Sequence, residues 1–171
     1  MKRQTTGEDT DQIKAWCNQL ATHLHSRPNA RSRRDVEDGL RSKWEGVQVW
    51  AGRVLASWGD RQSIDLLRDW LEGLLKKEAA WTVRGEAVRA LCQSYKPADV
   101  PWMLDLYFEA NDPLLRHEFS PFIFTLPEGD VKKRIRREAQ SGSAVRRDAA
   151  KIASRMLQYR QSRQIVKRTA R

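Results

Sequence analysis

At 171 residues the chain is long enough to bury a substantial core, and its 40% hydrophobic content excludes wholesale disorder. No apolar run reaches the length needed to cross a bilayer, and no basic start followed by a long apolar stretch marks a leader, so a soluble, cytoplasmic protein is expected. The net charge of +10 is local: residues 132–171 hold 14 Lys and Arg against only Glu138 and Asp148, leaving +12 there and −2 in the residues before them.

An opening polar segment, 1–10, carries no apolar residue after Met1 and is expected to be flexible. Ile13, Trp16, Cys17, Leu20 and Leu24 then follow helical spacing, which predicts an N-terminal capping helix over 11–25. Residues 26–34 combine Pro28 with four arginines and no apolar period, and read as an exposed basic loop. A weakly patterned helix from Asp35 to Lys43 is followed by a stronger one from Val47 to Trp58, stopped at Gly59-Asp60. The next helix places Ile64, Leu67, Trp70, Leu71, Leu74 and Leu75 on one face, and its partner places Val83, Ala87, Val88, Leu91 and Cys92.

Lys96-Pro97-Ala98-Asp99 precedes a helix with Val100, Met103, Leu104, Tyr107 and Phe108. Asn111-Asp112-Pro113 starts another, with proline early, where its missing N–H costs little. Pro121 falls inside that helix and predicts a kink near Phe119. After Pro127 to Asp130, a short helix bears Val131 and Ile135. The last helix bears Val145, Ala149, Ile152, Ala153, Met156 and Leu157, and a basic tail, 158–171, is expected to fray.

One phrase recurs along these helices: an aliphatic residue followed by a small or apolar residue four and eight positions later. It reads Val47, Ala51, Leu55; Val83, Ala87, Leu91; Leu115, Phe119, Ile123; and Val145, Ala149, Ala153. The starts lie 36, 32 and 30 residues apart. A period in this range marks repeats whose apolar stripe needs a neighbour to cover it.

Helix pairs whose second member opens with Val83-Arg84 or Val145-Arg146, together with Asp112-Pro113-Leu114-Leu115-Arg116, resemble HEAT and HEAT-like repeats. The likeness covers roughly 34–157, in a variant shorter than the usual period of about 40 residues. It implies an all-α, right-handed solenoid of about four antiparallel helix pairs, with the second helices lining an inner wall. It also implies a non-catalytic adaptor or scaffold for a protein partner.

In register, the second helices give three columns: Gln48, Arg84, Arg116, Arg146; then Trp50, Glu86, Glu118, Asp148; then Arg53, Arg89, Pro121, Lys151. From these and a neighbouring histidine, Trp50, Arg53, Arg84, Arg89, Arg116 and His117 are the candidate partner-binding residues. The competing reading makes Glu86–Arg89 and Asp148–Lys151 ordinary surface pairs three residues apart, and Arg84 and Arg116 braces between repeats.

The basic end offers a second candidate surface for nucleic acid or another acidic partner: Lys132, Lys133, Arg136, Arg137, Arg146, Arg147, Lys151 and Arg155. It would bind phosphates without reading bases, since no base-reading motif or aromatic platform accompanies it. A third reading follows from the resemblance: alkylpurine DNA glycosylases are also built of HEAT-like repeats, with an acid and tryptophans on the inner wall. Here no Asp-and-Trp constellation matches residue by residue, and most of the seven tryptophans read as core. No histidine or cysteine spacing suits a metal, no phosphate loop is present, and neither a cofactor nor a metal is expected.

Overall fold

The computed structural model describes residues 7–169, and every regular element among them is helical. The chain divides into two compact units, 1–95 and 96–171.

The first unit contains α1 (Gly7–His23), α2 (Ala30–Leu40), α3 (Glu45–Trp58), α4 (Arg61–Lys76) and α5 (Trp81–Ser94). Helix α1 begins inside the segment expected to be flexible, while residues 1–6 lie outside the described residues. The expected basic loop over 26–34 is corrected: α2 starts at Ala30. Asn29 Oδ1 accepts from the amides of Arg31 (3.0 Å) and Ser32 (2.9 Å), and Ser32 Oγ accepts from the Asn29 amide at 2.9 Å. This local cap starts the helix without apolar periodicity, which is why the pattern missed it.

The α3 helix packs on α1, α2, α4 and α5, and buries Val47, Ala51, Val54 and Leu55 completely. Each fully buried Val or Leu contributes about 1.5–3 kcal/mol. Close approach needs small residues: a Cβ on Gly39 would meet the Ala51 Cβ at 3.0 Å, and one on Gly52 would meet Trp70 Cζ3 at 2.5 Å. The helix ends at Gly59, whose φ of +58° suits glycine.

Asp60 caps α4 through the Ser63 amide at 2.9 Å and accepts from Arg33 Nη2 at 2.7 Å, so Arg33 is a structural residue rather than part of a free basic loop. Burial alone would push the Asp60 carboxyl up, but the hydrogen bonds from Arg33 and Ser63 outweigh it and hold the carboxyl below its usual range. At the end of α1, the His23 carbonyl accepts from Trp58 Nε1 at 3.0 Å, and His23 Nε2 lies 3.1 Å from Asp35 Oδ2.

The second unit contains a 3-10 turn (Pro97–Asp99), α6 (Val100–Glu109), α7 (Pro113–Glu118), α8 (Ser120–Thr125), α9 (Glu128–Ala139) and α10 (Ala144–Thr169). The expected kink is a full break, with α7 ending and α8 beginning around Phe119. Pro121 has no amide to give the His117 carbonyl, so the ladder cannot continue through it.

Tyr107, Phe108, Phe119 and Phe122 are fully buried, with neighbouring rings edge-to-face at 5.0, 6.2 and 6.5 Å between centroids. Burial pushes the Tyr107 phenol up to about 12, keeping it a donor to the Ala149 carbonyl at 3.3 Å. Helix α10 packs on α6, α8 and α9. It runs to Thr169, with no glycine or proline to interrupt it. Arg160 Nη1 donates to the Leu126 carbonyl at 3.0 Å, and Gln161 Nε2 donates to Glu128 at 2.6 Å. Residues 170–171 of the expected tail lie outside the described residues.

The recurring phrase is buried throughout both units except at Val145, which is half-buried. The expectation for tryptophan is corrected. Of the seven, Trp70 is in the core at 8% exposure and Trp81 is 53% exposed, while the other five are half-buried. An indole is too large for positions beside the phrase, where helices meet through alanine and glycine, so it lies at the margin. Three of these margins are covered by cations: Arg33 over Trp58 at 5.5 Å, Lys43 over Trp44 at 4.7 Å, and Arg53 over Trp50 at 5.7 Å.

Candidate functional site

In the first unit, four of the candidate partner-binding residues lie on the neighbouring helices α3 and α5. The α3 spacing puts Trp50 and Arg53 three apart on one face, and α5 does the same for Glu86 and Arg89. Arg53 Nη2 donates to Glu86 Oε1 at 3.2 Å, and Arg89 Nη2 donates to the same oxygen at 3.0 Å. With Arg53 over Trp50, this makes a ladder of indole, guanidinium, carboxylate and guanidinium across two helices. Arg53 and Arg89 are exposed, and Trp50 and Glu86 are half-buried.

Beside the ladder opens a groove of about 560 Å³, lined by His25, Ser57, Arg53, Glu86, Arg89 and Gln93 among others. The predicted Glu86–Arg89 pair is present, but the cross-helix bond to Arg53 was not legible from spacing within one helix. Arg84, at the start of α5, is half-buried.

In the second unit, Arg116 is 5% exposed, and its Nη1 donates to Asp148 Oδ2 at 2.7 Å, bracing α7 against α10. His117 beside it is exposed. The expected Asp148–Lys151 pair does not form, because Asp148 turns to Arg116. Lys151 is left with no acid among the described residues.

The basic cluster separates into two groups. Glu138, 2% exposed, is the residue that sequence reasoning missed: Arg134 Nε lies 2.7 Å from its Oε1, though misaligned for a hydrogen bond. Arg137 Nη2 reaches the same oxygen at 3.0 Å and Arg146 Nη1 reaches Oε2 at 3.2 Å. Arg134 also holds Asp105, Arg146 also holds Glu109, and Lys132 holds Glu128.

Burial pushes the Glu138 carboxyl up, yet its hydrogen bonds to Arg137 and Arg146 and the charge of Arg134 prevail and keep it below the usual range. The Glu138 hydrogen bond pushes Arg146 up in turn. Lys133, Arg136, Lys151 and Arg155 form the second group: all are exposed, and none has an acid partner among the described residues. Arg147 gives its Nη1 to the carbonyls of Ser141 (2.7 Å) and Gly142 (2.9 Å), so its charge is not neutralised. Among the described residues no group of His, Cys, Asp and Glu is arranged to hold a metal, and no helix is long and apolar enough to cross a membrane.

Short helices packed through a recurring aliphatic and small-residue phrase define the chain as an all-helical repeat protein. The family model for HEAT repeats matches residues 34–119, half of the chain. The chain belongs to the HEAT-repeat family. No curated protein matches it.

Proposed function

We propose that the chain is a non-catalytic binding module for a protein partner, and that the face carrying Trp50, Arg53, Glu86 and Arg89 is where the partner docks. HEAT repeats commonly mediate protein–protein interaction. The observation that carries the reading is the exposed ladder itself. Exposed ion pairs of this kind add at most about 1 kcal/mol to folding, so its arrangement has little value to stability alone. Tryptophan and arginine are the residue types that dominate binding energy at interfaces.

The test is affinity capture with mass spectrometry, comparing wild type with R53E/R89E at matched thermal stability. A protein captured by wild type and lost from the variant supports the reading. Identical captured sets from both chains would refute it.

A second reading, phosphate-backbone binding at the basic end, is favoured by one observation: Lys151 is released from Asp148, and Lys133, Arg136 and Arg155 are likewise without acids. A triple variant, R136E/K151E/R155E, is expected to lose a DNA or RNA mobility shift. A control carrying R61E/R68E in the first unit is expected to keep it. Each phosphate contact removed lowers the slope of log K against log salt by about one. No shift at low salt, or equal shifts from variant and wild type, would retire this reading.

A further inference from the structure

In the second unit, α9 and α10 leave a groove of about 290 Å³ between them. Its floor is apolar: Ile135 from α9, and Leu157 from α10 at 4% exposure. Arg136 lines it from α9, and Ser154 and Gln158 line it from α10. Lys132 and Gln161 also reach it, but both are engaged with Glu128.

Ser154 is half-buried and Gln158 is exposed, and neither side chain has a hydrogen bond among the described residues. An amide offers a donor and an acceptor together, and a hydroxyl does the same. A carboxylate or phosphate has acceptors alone and leaves half of that capacity unused, whereas the edges of nucleobases carry both kinds of group.

The rim carries charge of one sign. Lys151 precedes Ser154 by three residues and Arg155 precedes Gln158 by three, so each cation neighbours one of the polar groups on the helix surface. Arg147, Lys151 and Arg155 follow one another at about 6 Å along the helix axis. That step is comparable with the distance between successive phosphates of one strand. No acid follows Asp148 in the chain, and Asp148 is held by Arg116. Arg136 is exposed and has no acid partner among the described residues.

We infer that this groove receives an unpaired base of a single-stranded nucleic acid whose phosphates follow Arg147, Lys151 and Arg155. The inference rests on the reading of the basic end as a phosphate-binding surface, and names the form of nucleic acid that the surface takes. A duplex keeps its bases stacked and paired, so their faces do not reach a floor of Ile135 and Leu157. An unpaired base turns off the strand, lays its ring on that floor and pairs its edge with Gln158 and Ser154. The groove suits one base, since its volume of about 290 Å³ lies just under the range of ordinary small-ligand sites, roughly 300–1,000 Å³.

The probes are fluorescein-labelled oligo(dT) and oligo(U), read by polarisation against a hairpin duplex with as many phosphates and against an oligo(dT) analogue with abasic sites in place of its bases. Oligo(dT) and oligo(U) tell DNA from RNA, and binding of either meets the expectation. Backbone attraction alone favours the duplex, which carries the denser charge, so a preference for the single strand is a property of the groove. The single strand is expected to bind about fivefold or more tightly than the duplex and the abasic strand.

S154L/Q158L fills the groove and removes both polar groups while keeping every charge. It should weaken the single strand about fivefold or more, as the loss of one or two hydrogen bonds does, and leave the slope of log K against log salt unchanged. R136E/K151E/R155E should lower the slope as well. Q158A, at an exposed position, is the milder variant and should weaken binding in the same direction with the Tm unchanged.

Equal binding of single strand and duplex, equal binding of oligo(dT) and its abasic analogue, or wild-type affinity in S154L/Q158L and Q158A would each overturn the inference while leaving the phosphate reading intact. No binding of any probe, or equally tight binding of a labelled oligo-glutamate peptide of the same charge, would overturn both.

Discussion

Replacing Glu138 with alanine is expected to cost about 3–5 kcal/mol, the range for breaking a buried ion pair from one side. Arg134, whose side chain is 12% exposed, would then lose the carboxylate 2.7 Å from its Nε. The effect spreads because Glu138 joins three helices: its own α9, α10 through Arg146, and α6 through the bonds of Arg134 to Asp105 and of Arg146 to Glu109. Total stabilities of about 5–15 kcal/mol make this a loss visible in urea denaturation followed by circular dichroism.

Arg137 also touches Glu138, but its side chain is 65% exposed. R137A should cost less than about 1 kcal/mol. Equal costs for E138A and R137A would show that Glu138 is not the hub.

The same residue gives a pH dependence with a definite sign. Its folded carboxyl lies below the ordinary glutamate value, so on acidification the unfolded chain takes up the proton first. The stabilisation is complete above the unfolded value and is lost as pH falls through the lower folded one. Wild type should therefore lose its advantage over E138Q on titration below about pH 4.3, the ordinary glutamate value. A gap that stays constant down to pH 2 would mean that the carboxylate is not held in its charged form.

Local signals carried most of the fold. The recurring phrase was legible because burial along a helix follows its period, and the breaks at Gly59 and Pro121 because glycine and proline act within a turn of themselves. The cap at Asn29 was missed since it replaces apolar periodicity with two side-chain bonds.

The residues of the candidate sites stood out in the sequence, but their contacts did not. Arg116, Arg146, Asp148 and Lys151 all stood out by position, yet their roles depend on partners many residues away. Asp148 had two cations to choose between, one at helical spacing and one 32 residues earlier, and the more buried Arg116 takes it. Glu138 was overlooked as an isolated acid in a basic stretch, because its burial depends on α10 returning across the 140–143 turn to bring Arg146 beside Arg134 and Arg137 of its own helix. The tryptophans misled for a different reason: composition reports hydrophobicity, whereas their burial depends on whether neighbouring helices are held too close for an indole.

That closeness is testable at Gly52, where valine is expected to destabilise the first unit by about 3 kcal/mol, the upper end for overpacking. The first added carbon alone would stand 2.5 Å from Trp70 Cζ3 and 3.0 Å from Cη2, a separation that no rotamer of the new side chain relieves. Either α3 and α4 part, or the indole leaves its packed position. Both routes expose Trp70, so thermal unfolding should come earlier and tryptophan emission should shift to the red. Gly46, in the first turn of the same helix, has open space at its Cβ position. G46V should change stability by less than about 0.5 kcal/mol, as surface substitutions usually do. If G52V and G46V behaved alike, the contact between α3 and Trp70 would not be the constraint that makes position 52 a glycine.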